Sequence, residues 1–135
     1  MRLVFDTNTL ISALLFEGSK PSQAFNTGVK DGVILISSTT LTELENVLWR
    51  KKFDKYITNE ERMQFLSSFI LHTTHVEVDE IIAECRDPKD KKFLELGVSG
   101  KADFIISGDE DLLMLNPFRN IQILSPGNFI KIYSK

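Results

Sequence analysis

Short apolar runs alternate with longer segments of helical periodicity along almost the whole chain, and this alternation constrains the fold more than any other feature. LVF (3–5), VILIS (33–37), ADFIIS (102–107) and NIQIL (120–124) read as strands, with THVEV (74–78) as a further one. VILIS opens with four apolar residues in a row, the pattern of a strand buried on both faces rather than on one. Between the runs, TNTLISALLF (7–16) reads as a helix with Leu10, Leu14 and Leu15 on one side, and SQAFNTGVKDG (22–32) as a helix ending at Gly32. TTLTELENVLWRKK (39–52) carries the stripe Leu41, Leu44, Val47 and Leu48, with Arg50, Lys51 and Lys52 at the negative end of its dipole. TNEERMQFLSSFILH (58–72) follows, capped by Thr58 or Asn59; its residues Met63, Phe65, Leu66, Phe69 and Ile70 form a face for the core or for a dimer contact. DPKDKKFLELG (87–97) has Asp87 as cap, Pro88 at the first position and Gly97 as stop, and DEDLLML (109–115) is a short helix. SPGNFIKIYS (125–134) reads as a tail with a partial strand.

Short strands joined through helices require crossover connections. The expected fold is therefore α/β, with a central, mainly parallel sheet and helices on both faces, in one domain over residues 1–135. Sheets of this kind bind ligands at the carboxyl ends of their strands. Asp6 stands there, directly after the first strand, and Asp109 stands on the same rim after 102–107. An unpaired charge next to a buried strand costs several kcal/mol, so Asp6 needs a reason to be where it is.

Other acids fall at helix starts: Glu43 with Glu45, Asp87 with Asp90, and Asp111 beside Asp109. Capping is the simpler reading of each taken singly. Thr40-Leu-Thr-Glu43 has the form of a capping box, and Asp87 and Asp109 have the form of helix caps. Together they read differently, because a parallel sheet turns Asp6, Asp109 and the starts of both helices toward one crevice. Like charges gathered there protonate or recruit cations, and carboxylates without His or Cys suit Mg²⁺ or Mn²⁺. Two such ions clamp a phosphodiester for hydrolysis. Periodicity leaves Glu43 against Glu45, Asp87 against Asp90 and Asp109 against Asp111 undecided.

The stretches VFDTNTLISALL, SSTTLTELENVL, RDPKDKKFLELG and KADFIISGDEDLL followed by IQILSPGNFI together resemble the PIN-domain ribonucleases, in the branch of VapC-type toxins of toxin–antitoxin systems. The resemblance covers nearly the whole chain in order. It implies a three-layer α/β/α, Rossmann-like fold and an acidic quartet that binds one or two Mg²⁺ or Mn²⁺ ions and hydrolyses single-stranded RNA. Carried onto this sequence, the quartet is Asp6, Glu43, Asp90 and Asp109. Asp6, Asp90 and Asp109 would be the metal ligands, and Glu43 would complete the site. Asn8, Ser107 and Asp111 would support it. The resemblance also implies a small antitoxin partner and a homodimer. This chain departs from the family pattern at Lys89, often an acid, and at Lys91, often Asn or Asp; Gly97 and Val98 stand where Ala is common.

The remaining signals are weaker. RKKFDKY (50–56) mixes bases with aromatics and makes Arg50, Lys51 and Lys52 candidates for RNA contact, against the plainer reading of a solvated helix end with Phe53 and Tyr56 facing the core. KDKK (89–92) either steers phosphate or is solvated surface. His72 and His75 do not read as a metal pair. The net charge of −3 excludes a generally basic nucleic-acid coat. The single cysteine, Cys85, excludes a disulfide framework, reads as an ordinary small residue and favours the cytoplasm. No membrane span and no secretory leader are expected.

Other classes fit less well. A haloacid dehalogenase-type phosphatase would want Asp at position 8, where Asn8 stands, and a dinucleotide-binding module would want glycines after the first strand. A receiver-like domain would want earlier acids. An RNA-processing nuclease without a toxin role and a non-catalytic PIN-like module that binds RNA or protein remain as alternatives.

Overall fold

A computed structural model describes residues 1–83 and 87–133; Cys85 lies outside the described residues. Five strands form one sheet: β1 (Arg2–Phe5), β2 (Val33–Ile36), β3 (Thr73–His75), β4 (Phe104–Ile106) and β5 (Gln122–Leu124). Their order is β3-β2-β1-β4-β5 and every pairing is parallel. The helices are α1 (Thr7–Leu15), α2 (Lys20–Asp31), α3 (Ser38–Leu48), α4 (Asn59–Leu71), α5 (Pro88–Ser99), α6 (Glu110–Leu113) and α7 (Pro126–Tyr133), with a 3₁₀ turn at Lys51–Phe53.

Strand side chains alternate between two separate cores, which makes the fold a three-layer α/β/α sandwich. Leu3, Phe5, Ile34, Ile36 and Ile106 point into one core, filled by Leu10, Ala24, Leu44, Leu48, Phe69 and Phe129 from the helices of that face. Val4, Leu35, Ile105 and Ile123 point the other way, against Phe93, Leu94, Leu96 and Leu112. Both faces are covered, so the central strands β1, β2 and β4 are apolar on both sides apart from Arg2, whereas the edge strand β3 is Thr-Thr-His and mostly exposed. The chain leaves β1 toward β2 on one side and returns through α5 to β4 on the other. The reversal of strand order between β1 and β4 opens a crevice at their carboxyl ends, where such sheets bind ligands.

The sequence reading and the structure part at several helix ends. α2 begins at Lys20, with Ser19 as its cap, two residues before the expected start. α3 stops at Leu48, so Arg50, Lys51 and Lys52 lie beyond its end rather than in its last turn. The cause is Arg62, which is 1% exposed. Its guanidinium donates to the carbonyls of Leu48 (2.8 Å) and Arg50 (3.3 Å), to Asn59 and to the Asp54 carboxylate (3.0 Å). It thereby satisfies the end of α3 from outside. The capping box of α3 is Ser37 with Thr40, not Thr40 with Glu43, which leaves the Glu43 carboxylate uncommitted to the helix backbone.

Gly97 does not stop α5. It lies inside the helix, where an added Cβ would stand 3.1 Å from Ile105 Cδ1 and 3.3 Å from Ile121 Cδ1, so its smallness lets the helix approach the sheet. Gly100 ends the helix instead. The 125–134 segment is the helix α7, started by Ser125, whose Oγ accepts from the Asn128 amide, and by Pro126 at its first position. On α4, Phe69 is buried and Phe65 and Leu66 are partly so, while Met63 and Ile70 face outward. Phe53 packs on the core as expected; Tyr56 is exposed, edge-on to Phe16.

The Arg62 network is a buried cation with its acceptors arranged around it, and truncation leaves those carbonyls unpaired. Arg62→Ala should lower the unfolding free energy by about 3 kcal/mol, read as a reduced midpoint in urea. Arg62→Lys, which lacks the planar fork, should recover only part of that.

Candidate metal centre

The parallel register of β1 and β4 sets Phe5 beside Ile106, so the next residues, Asp6 and Ser107, leave the sheet side by side. The Asp6 amide donates to the Ile106 carbonyl, and the Ser107 hydroxyl donates to Asp6 Oδ2 in a short hydrogen bond. Asp6 Oδ1 accepts from the Thr9 amide at 2.8 Å and so caps α1. The carboxylate is 5% exposed. Burial pushes its pKa up, the hydrogen bonds from Ser107 and Thr9 work against that, and the nearby Asp109 charge adds to the rise.

Ser107 also accepts from the Asp109 amide at 2.9 Å, which ties the two strand-end acids through one hydroxyl. Asp109 caps α6 by accepting from the Asp111 amide at 2.9 Å. On α5, Asp87 caps the helix by accepting from the Lys89 amide, and Asp90 lies one turn in, 4% exposed. Asp90 Oδ2 is buried with no hydrogen-bond partner among the described residues. Its pKa is pushed up to about 7, first by burial and then by the charge and hydrogen bonding of Asp109, with smaller effects from Asp87 and Asp111.

Asp6, Glu43, Asp90 and Asp109 line one cavity of about 80 Å³, together with Thr7, Asn8, Lys89 and Phe93. The sequence elements that carry them are far apart in the chain, and the doubly wound sheet brings them together. Glu45 is not in the lining. Asn8 lies on the cavity wall and is exposed; among the described residues its side chain makes no hydrogen bond to Asp6, and Ser107 alone of the two holds that carboxylate. Asp111 does not line the cavity. It stands on the outer side of Asp90, where one oxygen each of Asp87, Asp90 and Asp111 lies within 4.8 Å of the others.

Lys92 has no defined place from its position in KDKK alone. Its Nζ sits 2.9 Å from Glu43 Oε2, an ion pair without the alignment of a hydrogen bond, and donates to the Lys89 carbonyl at 2.8 Å. Lys92 therefore neutralises one acid of the cavity from its edge. A cation in KDKK was visible, but not which of the three lysines would reach inward. Arg50, Lys51 and Lys52 line no part of this cavity: α3 has eleven residues, about 16 Å of rise, and they lie past its far end. His72 and His75 share no ligand geometry; His75 pairs with Glu77 at 3.4 Å.

The donors fit a hard divalent cation. They are carboxylate oxygens, one of them buried without a partner, in a space of ionic rather than molecular size. Among the described residues no helix is long and apolar enough to cross a membrane.

Comparison with known proteins identifies the family and the fold. The model of the PIN domain family matches residues 2–111, and the chain belongs to that family. PIN domains are nucleases, and divalent metals are their general cofactors. Among solved structures, VapBC2 from Rickettsia felis, bound to a DNA fragment from its promoter, matches at 15% identity with a TM-score of 0.62, over 91% of this chain and 97% of that one. PAE2754 from Pyrobaculum aerophilum matches at 14% identity with a TM-score of 0.64, over 100% of this chain and 91% of that one. At such identities the likeness is one of fold. Comparison with curated proteins gave no match.

The Asp90 shift has a sign that can be tested. Folded Asp90 holds its proton up to about pH 7, whereas the unfolded carboxyl loses it near 3.8. Between these values the folded state binds more protons, so metal-free stability falls as pH rises through this window. Thermal melts of the metal-free protein should show a Tm that drops from about pH 4 to about pH 7.5. In Asp90→Asn that slope should flatten and the Tm at neutral pH should rise by several degrees. Mn²⁺ at neutral pH should raise the Tm of the native chain and leave Asp90→Asn nearly unmoved.

Proposed function

We propose that this chain is a metal-dependent endoribonuclease that cleaves single-stranded RNA and serves as the toxin of a toxin–antitoxin pair. The observation that carries the reading is the convergence of Asp6, Glu43, Asp90 and Asp109 on one small cavity, with Asp90 Oδ2 buried and without a hydrogen-bond partner among the described residues. Membership of the PIN domain family supplies the reaction class. The toxin role draws on the sequence resemblance described above and on a fold shared with VapBC2. The same resemblance supplies the further expectations of a small antitoxin partner, a homodimer and a cytoplasmic location.

In this reading Asp6, Asp90 and Asp109 hold Mg²⁺ or Mn²⁺. The bound cation supplies Lewis acidity toward a phosphodiester and acidifies water for attack. The chain's own residues do the rest. Ser107 fixes the Asp6 carboxylate and, through the Asp109 amide, the start of α6, so both strand-end acids are held before any ligand arrives. Lys92, 2.9 Å from Glu43 Oε2, takes up part of its charge, and Glu43 orients water. The raised proton affinity of Asp90 makes the site prefer protons to cations in acid, so activity should rise with pH through about 7.

A cleavage assay on labelled single-stranded RNA tests the proposal. Purified protein should cut with Mg²⁺ or Mn²⁺ and stop with EDTA. Asp6→Asn and Asp90→Asn should each lower the rate by about a hundredfold or more, the scale of losing a principal electrostatic group. Equal degradation by Asp6→Asn would assign the activity to a contaminant and remove the reading.

A further inference from the structure

Asp6, Asn8 and Asp109 border two spaces. On one side lies the acidic cavity; on the other lies a groove of about 460 Å³. The first turns of α1, α2 and α7 wall this groove, together with the backbone at Gly108. The two volumes call for different occupants. A space of about 80 Å³ admits an ion with water and excludes a nucleotide, whereas 460 Å³ lies in the range of roughly 300–1,000 Å³ that holds organic ligands. A scissile phosphate at the acids must continue into neighbouring nucleotides, and the groove is open to it through the shared residues.

The lining has the chemistry for one. Pro21 offers apolar surface, Pro126 stands buried in the wall, Thr9 and Ser12 line the α1 side, and among the described residues Lys20 is the sole cation in the lining. Lys20 is exposed and among the described residues makes no ion pair, so its ammonium is available. Gly108 and Gly127 both face open space: a Cβ on either would meet nothing within 4 Å. The backbone there is bare, so a ligand can approach closely, and a larger side chain would occupy the groove without striking the protein.

We infer that this groove seats the nucleotide next to the scissile phosphate, with the flanking phosphate against Lys20 and the sugar and base over Pro21 and Gly127. This rests on the ribonuclease reading and extends it by assigning the substrate a path, away from Arg50, Lys51 and Lys52. The cations of that path are few, which fits a chain without a basic coat: affinity comes from one phosphate contact and surface fit rather than from a broad field.

The test uses Gly127→Leu, which fills the groove on a helix position that tolerates a side chain, and Lys20→Gln, which removes the charge. Lys30→Gln, at the far end of the same helix, is the control for net charge. Binding of a fluorescein-labelled single-stranded RNA is followed by anisotropy in the Asp90→Asn background, and kcat and KM are measured in the otherwise native protein with Mn²⁺. Gly127→Leu should weaken binding and raise KM by about tenfold, and Lys20→Gln by about threefold with a shallower salt dependence. Both should keep kcat within about twofold and leave Mn²⁺ binding by calorimetry unchanged. Lys30→Gln should behave as native. Should Gly127→Leu lose its cooperative melt, Lys20→Gln against Lys30→Gln decides alone. If RNA is bound and cut but the groove variants match the control, the groove assignment falls and the nuclease reading stands. If the native chain neither binds nor cuts RNA, both fall.

Discussion

The structure is organised around a repulsion. Two carboxylates, Asp6 and Asp90, are almost wholly buried, and Asp109 lies close enough to raise the proton affinity of both. In a protected site, like charges a few ångströms apart oppose each other by kcal/mol rather than tenths. The fold tolerates this because the sheet pins the backbone that carries Asp6 and Ser107, and because hydroxyl and amide donors meet both oxygens of Asp6. Asp90 receives no such support at Oδ2. The strain is thus concentrated at one atom, where a proton or a cation relieves it.

Capping and function are not rivals here. Asp6, Asp87 and Asp109 each cap a helix through one oxygen, as short polar side chains at strand-to-helix turns commonly do. In the parallel sheet those turns at β1 and β4 lie on one rim, so the caps Asp6 and Asp109 stand together beside Asp90. The same hydrogen bond that starts a helix also freezes the carboxylate's rotamer. An acid that would otherwise swing into solvent is held at the crevice. The local rule explains why each acid is where it is, and the topology explains why they meet.

Much of this was legible from the chain because the signals were local. Apolar runs mark β1, β2 and β4, Asp-Pro marks the start of α5, and Thr58 or Asn59 marks the start of α4, where the structure makes Thr58 the cap. What escaped depended on distant contacts. Arg62 looks like any surface arginine until the carbonyls of Leu48 and Arg50 surround it, and it shortens α3 against a favourable composition. Gly97 looks like a stop until Ile105 and Ile121 press on it. α7 is ambiguous in sequence although Ser125-Pro126 is a helix start, because the apolar residues that follow suit a strand as well. Glu43 could not be separated from Glu45 by periodicity, since the choice lies in which one the far side of the crevice meets, and that side is Lys92 on α5.

The crevice divides its chemistry by size and charge. The acidic cavity concentrates negative potential in a space too small for a nucleotide, and the adjoining groove spreads mixed polar and apolar surface over a space several times larger. Such a division solves a problem that an acidic site for a polyanion must face. A phosphodiester approaching bare carboxylates is repelled, so attraction has to come from the cation they hold, from surface fit beside them, or from both. On the proposed path, a groove that shares Asp6, Asn8 and Asp109 with the cavity gathers binding energy on the flanking nucleotide, which lowers KM and brings the phosphate to the acids while the chemical step stays with the acidic cavity.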